Sequence, residues 1–354
     1  CTGTNGGAPV PELSEHMSME DYDYYAYINA TSEEYYAHEM RSELYRIFIV
    51  CLYSIACIFG IPGNALVLTI LIFCEKVKVP TDIFLVSLAV ADLLFLCTLP
   101  FWAYSAAKEW IFGTLSCKII RGLYSMNLYG SMLTLTCITI DRYFAIVQAT
   151  KAHISQAKRK VWGTVFCIVV WVVSLAFALP QLIFSIQEKL DKEICYTAYS
   201  SHNTKLLINI IQVLLGFFCP MLVMVICYSI IVHTLCHARG FHKHKSLQII
   251  FAIVVTFIFT QTPYNLLKLF RTINKESLLD YSSDYVFFIT EAIAYFHSCL
   301  NPVLYFFIGA KFRKNLAKIL KNMRCAKHHQ IMKQWQTTDE DGSKTEQTQQ
   351  GILR

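Results

Sequence analysis

The chain has 354 residues, 55% of them hydrophobic and 16% charged, with a formal net charge of +6. Soluble globular domains usually carry about 25% charged residues. This composition, with a mean hydropathy of +0.42, therefore excludes an ordinary soluble domain and indicates a membrane protein. The sequence contains no recognisable metal-ligand cluster and no nucleophile with its base, so we do not expect an enzyme. We expect no nucleic-acid partner either.

Residues 1–43 form the most acidic part of the chain. Nine Asp or Glu residues occur between positions 12 and 43, against a single Arg. This composition, without apolar periodicity, predicts an extracellular segment that stays disordered until it binds a partner. Met17 or Met19 is a candidate natural start, in which case residues 1–16 are an upstream extension.

Tyrosines lie between these carboxylates. Acidic neighbours favour tyrosine sulfation, which adds negative charge and would steer a basic protein ligand towards the segment. The alternative is a plain solvated tail. The sequon Asn29-Ala30-Thr31 predicts glycosylation at Asn29. The tyrosines predicted to contact the ligand are Tyr22, Tyr24, Tyr25 and Tyr27.

Seven apolar segments follow, and we predict a transmembrane domain over residues 44–309. A membrane helix needs about 20 mostly apolar residues, and backbone groups in lipid must be satisfied within the helix. Five segments carry no Asp, Glu, Lys or Arg, while the second contains only Asp92 and the seventh only Glu291. The fold class is therefore an all-α membrane protein with seven transmembrane helices. The predicted spans are residues 47–73, 83–107, 122–140, 161–187, 206–232, 246–267 and 285–310.

Basic residues predict the orientation of the bundle. The connections after the first, third and fifth spans, and the segment after the seventh, are richer in Lys and Arg than the alternate connections. The positive-inside rule places the N-terminus outside and the C-terminus inside. Residues 1–43 lack the apolar core of a signal peptide, so we expect the first span to act as its own insertion signal.

Beyond the N-terminal segment and outside the predicted spans, two of the 14 cysteines lie on the predicted outer side. Cys117 is at the outer end of the third span and Cys195 in the loop after the fourth, and both face an oxidising compartment. We expect a disulfide between them, with two free thiols as the alternative. On the inner side, Cys325 follows a basic segment, which predicts palmitoylation.

Ionisable and polar residues inside the spans predict two functional sites, because burying charge in lipid is costly. Asp92, with Asn127 and Ser131 on one face of the third span, forms a polar cluster that holds either a sodium ion or a hydrogen-bonded water network. His297, Ser298 and Asn301 are candidates to join it.

Glu291 lies nearer the outside. Tyr53, Trp102 and Tyr124 have comparable depths and would form an aromatic pocket with Glu291 for a basic peptide end. Ordinary helix packing is the alternative for each aromatic residue.

The segment after the seventh span has two parts. In residues 310–325 the apolar side chains share one helical face and the basic ones another, which predicts a short amphipathic helix on the inner leaflet. Residues 326–354 are polar and predicted to be disordered. Hydroxyls beside acidic residues there would be phosphorylated by receptor kinases to recruit arrestin, with a plain tail as the alternative.

Short motifs then identify a family. The third span ends in Asp141-Arg142-Tyr143, and the seventh contains Asn301-Pro302-Val303-Leu304-Tyr305. With single motifs in the other spans, this order resembles the rhodopsin-like G-protein-coupled receptors. The stretch Thr98-Leu99-Pro100-Phe101-Trp102 and the acidic tyrosine-rich N-terminus resemble chemokine receptors. The motifs in the other spans are Gly63-Asn64, Leu88-Ala89-Val90-Ala91-Asp92, Trp171, Pro220 and Pro263.

Within that family the chain resembles the C-X-C type 6 branch. Residues 97–104, 149–152, 156–159 and 237–251 carry this similarity. Two departures from the wider family agree with it: Gln261 stands where most members have a tryptophan switch, and residues 274–285 contain no Cys for a second outer disulfide.

The resemblance implies a mechanism. A C-X-C chemokine, of the membrane-tethered kind, would dock on the N-terminus and insert its flexible end into the bundle. Freed from Asp141, Arg142 would engage a Gi-type G protein, driving calcium signalling and chemotaxis. The alternatives are a scavenger or an adhesion receptor for the same ligand. The residues that the resemblance assigns to switching are Asp141, Arg142, Tyr143, Tyr228, Gln261, Pro263, Asn301, Pro302 and Tyr305.

Overall fold

The computed structural model describes residues 19–147, 156–189, 192–237, 245–274, 281–308, 312–319 and 321. The chain divides into two units, one ending at Ile49 and one beginning at Val50, and each is described by itself. Side chains of residues 19–42 are outside the described part, as are Cys325 and the predicted tail 326–354. The predictions for Tyr22, Tyr24, Tyr25, Tyr27, Asn29 and Cys325 therefore fall outside the described side chains.

Helices dominate the described chain, joined by one β-hairpin. The described chain has two π-helical segments, Ile70–Cys74 and Leu214–Phe218, and each directly continues the α-helix before it. The last helix, α10, covers residues 312–319. The other elements are α1 (Met19–Thr69), α2 (Pro80–Leu96), α3 (Leu99–Ala107), α4 (Gly113–Val147), α5 (Gln156–Phe184), β1 (Ser185–Lys189), β2 (Glu193–Thr197), α6 (His202–Val213), α7 (Cys219–His237), α8 (Lys245–Ile273) and α9 (Tyr281–Ile308).

These helices supply the seven predicted spans. Six segments of the described chain are long and apolar enough to cross a membrane, and a seventh passes together with Phe312–Ile319, which lies at 87° to it. The match confirms the seven-helix prediction. In order, spans one to seven are Glu43–Cys74, Pro80–Ala107, Gly113–Val147, Lys158–Phe184, His202–Leu235, Ile250–Ile273 and Val286–Phe307.

The N-terminal segment differs from its prediction. The backbone is helical from Met19, whereas the sequence predicted disorder up to residue 43. No Gly or Pro occurs between Met19 and Phe59, so local propensity does not oppose a helix. The segment also continues directly into a membrane helix, so no new nucleation step is needed.

The predicted end of the fourth span was three residues too far along the chain. Helix α5 ends at Phe184, and residues 185–187 instead belong to β1. Strands β1 and β2 are antiparallel, with Ser185 opposite Thr197 and Gln187 opposite Cys195. Ladder hydrogen bonds to β2 therefore replace helical ones at this outer boundary.

The helix of the second span is interrupted in its outer third. Helix α2 ends at Leu96 and α3 begins at Leu99. Pro100 has no N–H to continue the helical bonding, and the Thr98 hydroxyl donates to the Phe95 carbonyl at 2.7 Å. Trp102, on α3, packs beside the outer end of span three, against Cys117 and Ile120.

The buried core lies in the inner two thirds of the bundle. Its side chains come from spans one, two, three, five, six and seven and include Leu88, Met132, Met224, Ile253 and Phe257. Large apolar side chains elsewhere are exposed on the protein surface, as expected for a face that contacts lipid tails.

Helix α10 agrees with the predicted amphipathic helix. Phe312, Leu316 and Ile319 are half-buried, whereas Arg313 and Lys318 are exposed. This alternation suits a helix lying on the inner leaflet, with its basic face towards the headgroups.

Candidate functional site: an outer cavity, a buried polar cluster and an inner ion pair

The β-hairpin is fixed to the outer end of span three. Cys117 and Cys195 form a disulfide with a Cα–Cα distance of 5.7 Å, which confirms the predicted bridge. Trp110 is wholly buried against this bridge, and its backbone N–H donates to the Glu193 carbonyl at 2.7 Å. The hairpin therefore covers part of the outer end of the bundle.

Under the hairpin lies a cavity of about 330 Å³. Spans three to seven line it, with Gln181 contributed by span four, together with the hairpin and the residues that follow it. Its volume is at the small end of the range for ligand pockets. It can hold the end of a peptide rather than a folded protein.

Two of the four predicted pocket residues line this cavity. They are Tyr124 on span three and Glu291 on span seven. The Tyr264 hydroxyl donates to Glu291 Oε1 at 3.3 Å, which orients the carboxylate. Tyr264 was not singled out in the sequence, where it directly follows Pro263.

The other two predicted residues pack behind the cavity wall. Tyr53 stacks on Tyr295 with ring centroids 5.7 Å apart, and Tyr295 lies 4.5 Å from Tyr124. Trp102 lies against Trp110, at 5.5 Å between ring centroids, and beneath the Arg121 guanidinium. Neither is among the cavity-lining residues, so aromatic packing accounts for their positions.

The basic wall of the cavity was not predicted from the sequence. The described lining contains four basic side chains, Arg121, Lys205, Lys268 and Arg271, but only one acidic one, Glu291. Arg121 directly precedes the predicted third span and Lys268 directly follows the predicted sixth. Charged residues just outside apolar segments were therefore the available signal.

A second polar cluster lies deeper, around Asp92. This carboxylate is fully buried and accepts hydrogen bonds from Asn127 Nδ2 at 2.9 Å and Asn301 Nδ2 at 2.7 Å. His297 Nε2 is 4.0 Å from Asp92 Oδ1. The buried Ser131 hydroxyl has no hydrogen-bond partner among the described residues. Spans two, three and seven thus meet at one carboxylate, and the oxygen ligands and unpartnered hydroxyl fit a hard cation.

Gln261 connects this cluster to span six. Its side chain is fully buried, and Nε2 donates to the Ala294 carbonyl at 2.8 Å and lies 2.9 Å from His297 Nδ1. Both partners are on span seven. The amide therefore fastens span six to span seven beside the histidine that approaches Asp92.

The inner ion pair is centred on Asp141. Its carboxylate accepts from Arg142 at 2.7 Å, from Arg159 at 2.8 Å and from the Thr81 hydroxyl at 3.0 Å. Arg142 also donates to Thr81. The predicted pairing of Asp141 with Arg142 is present, and Thr81 and Arg159 are additional members that the sequence did not indicate.

The remaining switch residues lie on spans three, five, six and seven. Tyr228 and Tyr305 are buried, with rings 5.4 Å from Phe251 and 6.1 Å from Phe312 respectively. Tyr143 packs against the buried core. Pro263 and Pro302 are inside helices α8 and α9.

Comparison with known proteins agrees with this arrangement. The family model described as "7 transmembrane receptor (rhodopsin family)" matches residues 63–305. Human C-C chemokine receptor type 9 is 39% identical over 340 residues, covering 92% of this chain and 91% of that protein. The sheep type 9 receptor is 43% identical over 288 residues (78% of each chain). Human C-C chemokine receptor type 7 is 39% identical over 297 residues (81% of this chain, 78% of that protein).

These relatives are of the C-C kind, so they do not support the resemblance to the C-X-C type 6 branch. That resemblance rested on short stretches and two single departures, whereas the similarity to the type 9 receptor extends over nearly the whole chain. The coarser conclusion is independent of the subtype: the chain belongs to the rhodopsin family of seven-transmembrane receptors and, within it, to the chemokine receptors.

Proposed function

We propose that this plasma-membrane receptor activates a Gi-type G protein when a chemokine binds outside, and so drives calcium signalling and chemotaxis. The observation that carries the proposal is the Asp141–Arg142 pair, held at the inner end of span three by Thr81 and Arg159. A receptor that only captured ligand would not need this cluster. The scavenger and adhesion roles stand as the alternatives.

The ligand is proposed to bind in two steps. Its folded body docks on the acidic N-terminus around Tyr22, Tyr24, Tyr25 and Tyr27, where sulfation strengthens attraction to basic surfaces. Its flexible end enters the outer cavity, where Glu291 receives a positive group. Tyr124 lines the same cavity, while Tyr53 and Trp102 support its wall.

Activation is proposed to release Arg142 from Asp141. Span six bends at Pro263, because the proline frees a backbone carbonyl and makes a natural kink. Tyr228 and Tyr305 then move towards Arg142, and the opened inner face accepts the G protein. Ligand shifts this equilibrium only by binding one state better than the other.

Gln261 is proposed to take the place of the bulky switch residue found in most of the family. An amide cannot act by ring packing, but its bond to the Ala294 carbonyl links span six to span seven. Breaking or remaking that bond is the local event that accompanies the movement of span six.

A sodium ion at Asp92 is proposed as a stabiliser of the resting arrangement. Asp92, Asn127 and Ser131 would supply oxygen ligands, the type that hard cations prefer. The ion would hold spans two, three and seven together. A hydrogen-bonded network without an ion is the alternative arrangement.

The inner partners follow from the same proposal. Receptor kinases phosphorylate hydroxyls within residues 326–354, and arrestin binds the added charge. Palmitate on Cys325 and the basic face of α10 anchor the segment to the bilayer.

The ligand subtype has two candidates. The names of the relatives favour a C-C chemokine. The C-X-C type 6 prediction, with a transmembrane chemokine as ligand, rests on short similar stretches and on two departures from the wider family, Gln261 and the absence of Cys from residues 274–285.

A G-protein activation assay in transfected cells tests the proposal. Cells are exposed to a panel of C-C and C-X-C chemokines, including the transmembrane C-X-C kind, with and without a toxin that inactivates Gi. We expect at least one chemokine to give a toxin-sensitive response. Binding and internalisation without any G-protein response would instead favour the scavenger role.

A further inference from the structure

The charges lining the outer cavity are unbalanced within the part of the chain that the structure describes. Arg121 comes from span three, Lys205 from span five and Lys268 from span six, and all three line the cavity. None of these three forms an ion pair with a described residue. A cavity with this lining attracts anions, although Glu291 alone would suggest the opposite.

The basic side chains are held in place by neutral groups. Lys268 Nζ donates to Gln212 Oε1 at 3.2 Å, and the Gln212 amide is fixed in turn by the Phe177 carbonyl at 2.9 Å. Arg121 donates to the Cys195 carbonyl at 3.3 Å. These partners orient the cations without neutralising them, so an anionic group would add charge-assisted bonds at both positions.

Glu291 lines the same cavity as Arg121 and Lys268 but is not in direct ion-pair contact with either side chain. Glu291 is oriented by Tyr264, and neither Arg121 nor Lys268 makes an ion pair with it. Both cations still act electrostatically on Glu291. Burial raises the pKa of the nearby Tyr199 phenol, which is therefore neutral at physiological pH and adds no negative charge to the lining.

We propose that the outer cavity binds a ligand end that carries both charges, with an amino group directed to Glu291 and a carboxylate directed to Lys268 and Arg121. The carboxylate belongs to an Asp or Glu side chain in the flexible end of the chemokine. This inference rests on the proposed function, because it names the chemistry of the segment that enters the bundle. The basic wall then determines specificity, because a flexible end without an acidic residue leaves Lys268 and Arg121 without an anionic partner.

A double-mutant cycle tests the proposal in the full-length receptor. The probe is the chemokine that gives the largest response in the panel, with each Asp or Glu of its flexible end changed in turn to the amide. The receptor variant is Lys268→Gln. We expect each single change to lower the potency of G-protein activation about tenfold or more, the usual effect of losing one charge-assisted hydrogen bond. We expect the double change to cost no more than the larger single change.

A charge exchange and a matched control sharpen the test. Lys268→Glu should lower potency further, and a chemokine with Lys at the coupled acidic position should recover it. Lys192→Gln removes the same charge from an exposed position at the hairpin bend, away from the cavity lining. It should leave potency within about twofold. Surface expression of every variant is measured with an antibody against an N-terminal tag.

The outcomes separate this inference from the function on which it rests. If no chemokine activates the wild-type receptor, the proposed function fails. If activation is intact but Lys268→Gln responds normally, only the anionic subsite fails. Fully additive losses in the cycle, or a responding chemokine with no acidic residue in its flexible end, would also contradict it.

Discussion

At the scale of single residues, Glu291 illustrates how depth and partners determine a role. A lone carboxylate in a membrane span indicates a functional site, and the structure places it in a cavity with the Tyr264 hydroxyl 3.3 Å away. Glu291 was predicted from the sequence as a ligand-binding residue. Its contact with Tyr264 was not predicted, because Tyr264 belongs to a different span. Pairings between spans cannot be found from spacing along one helix.

Glu291→Gln keeps the shape of the side chain and removes its charge. We expect the potency of chemokine-driven activation to fall about tenfold, the loss of one charge-assisted interaction, while docking of the chemokine body is nearly unchanged. Binding and G-protein activation are measured on the same cells. Tyr264→Phe, which keeps the carboxylate, should have a smaller effect, and equal effects of the two variants would argue against a charge contact.

Gln261 gives a second residue-scale prediction. Gln261→Leu removes the bond from span six to the Ala294 carbonyl, so we expect span six to be released more easily and agonist-independent G-protein activation to rise. The control is Thr260→Val, because within the described residues the Thr260 hydroxyl donates to carbonyls of its own helix, those of Thr256 and Phe257. Basal activity equal to the wild type in Gln261→Leu would show that the amide does not restrain span six.

At the scale of elements, the apolar segments predicted all seven helices but not their ends. Span three begins at Gly113 rather than residue 122 because the helix continues past the charged residues Lys118 and Arg121. The apolar content of a segment indicates where the hydrocarbon core ends, whereas a helix ends where its pattern of backbone hydrogen bonds changes. The basic cavity wall was not predicted for this reason, since Arg121 and Lys268 lie on helical turns just beyond the predicted apolar segments.

The packing of span one against span seven predicts how a substitution at Gly63 affects stability. A Cβ at Gly63 would lie 2.8 Å from Pro302 Cβ, on a rigid ring. Gly63→Ala should therefore destabilise the bundle by about 1–3 kcal/mol, as overpacked cores do. Thermal unfolding of the detergent-purified receptor measures the change.

Gly130→Ala is the matched control for this substitution. A Cβ there would meet the Ser174 hydroxyl at an ordinary 3.5 Å, and Ala is the better helix former. Its midpoint of unfolding should equal or exceed that of the wild type. A similar decrease of the unfolding midpoint in both variants would mean that the destabilisation comes from helix geometry in general and not from the contact with Pro302.

At the scale of the whole molecule, opposite charges separate along the chain. The N-terminal segment is acidic, the outer cavity is basic, and Lys and Arg again predominate on the inner side. This arrangement suits a ligand with a basic body and an acidic residue in its flexible end. The first and last of these regions could be predicted from the sequence because their charges are contiguous, but the cavity could not, because its basic residues come from three spans.

Removing the sulfation sites tests the outer part of this arrangement. Changing Tyr22, Tyr24, Tyr25 and Tyr27 to Phe should weaken chemokine binding, because the fixed negative charge is lost. The difference from the wild type should shrink as salt is raised, since screening weakens both forms towards the same limit. Superimposable binding curves at low salt would indicate that the segment is only a spacer.

We propose that Arg142 couples chemokine binding outside the cell to G-protein activation inside it. The most direct measurement is chemokine-stimulated nucleotide exchange on Gi in membranes carrying either the wild type or Arg142→Ala, with chemokine binding measured in parallel. We expect Arg142→Ala to bind chemokine with nearly wild-type affinity and to give no stimulated exchange. Normal stimulated exchange in that variant would contradict the account.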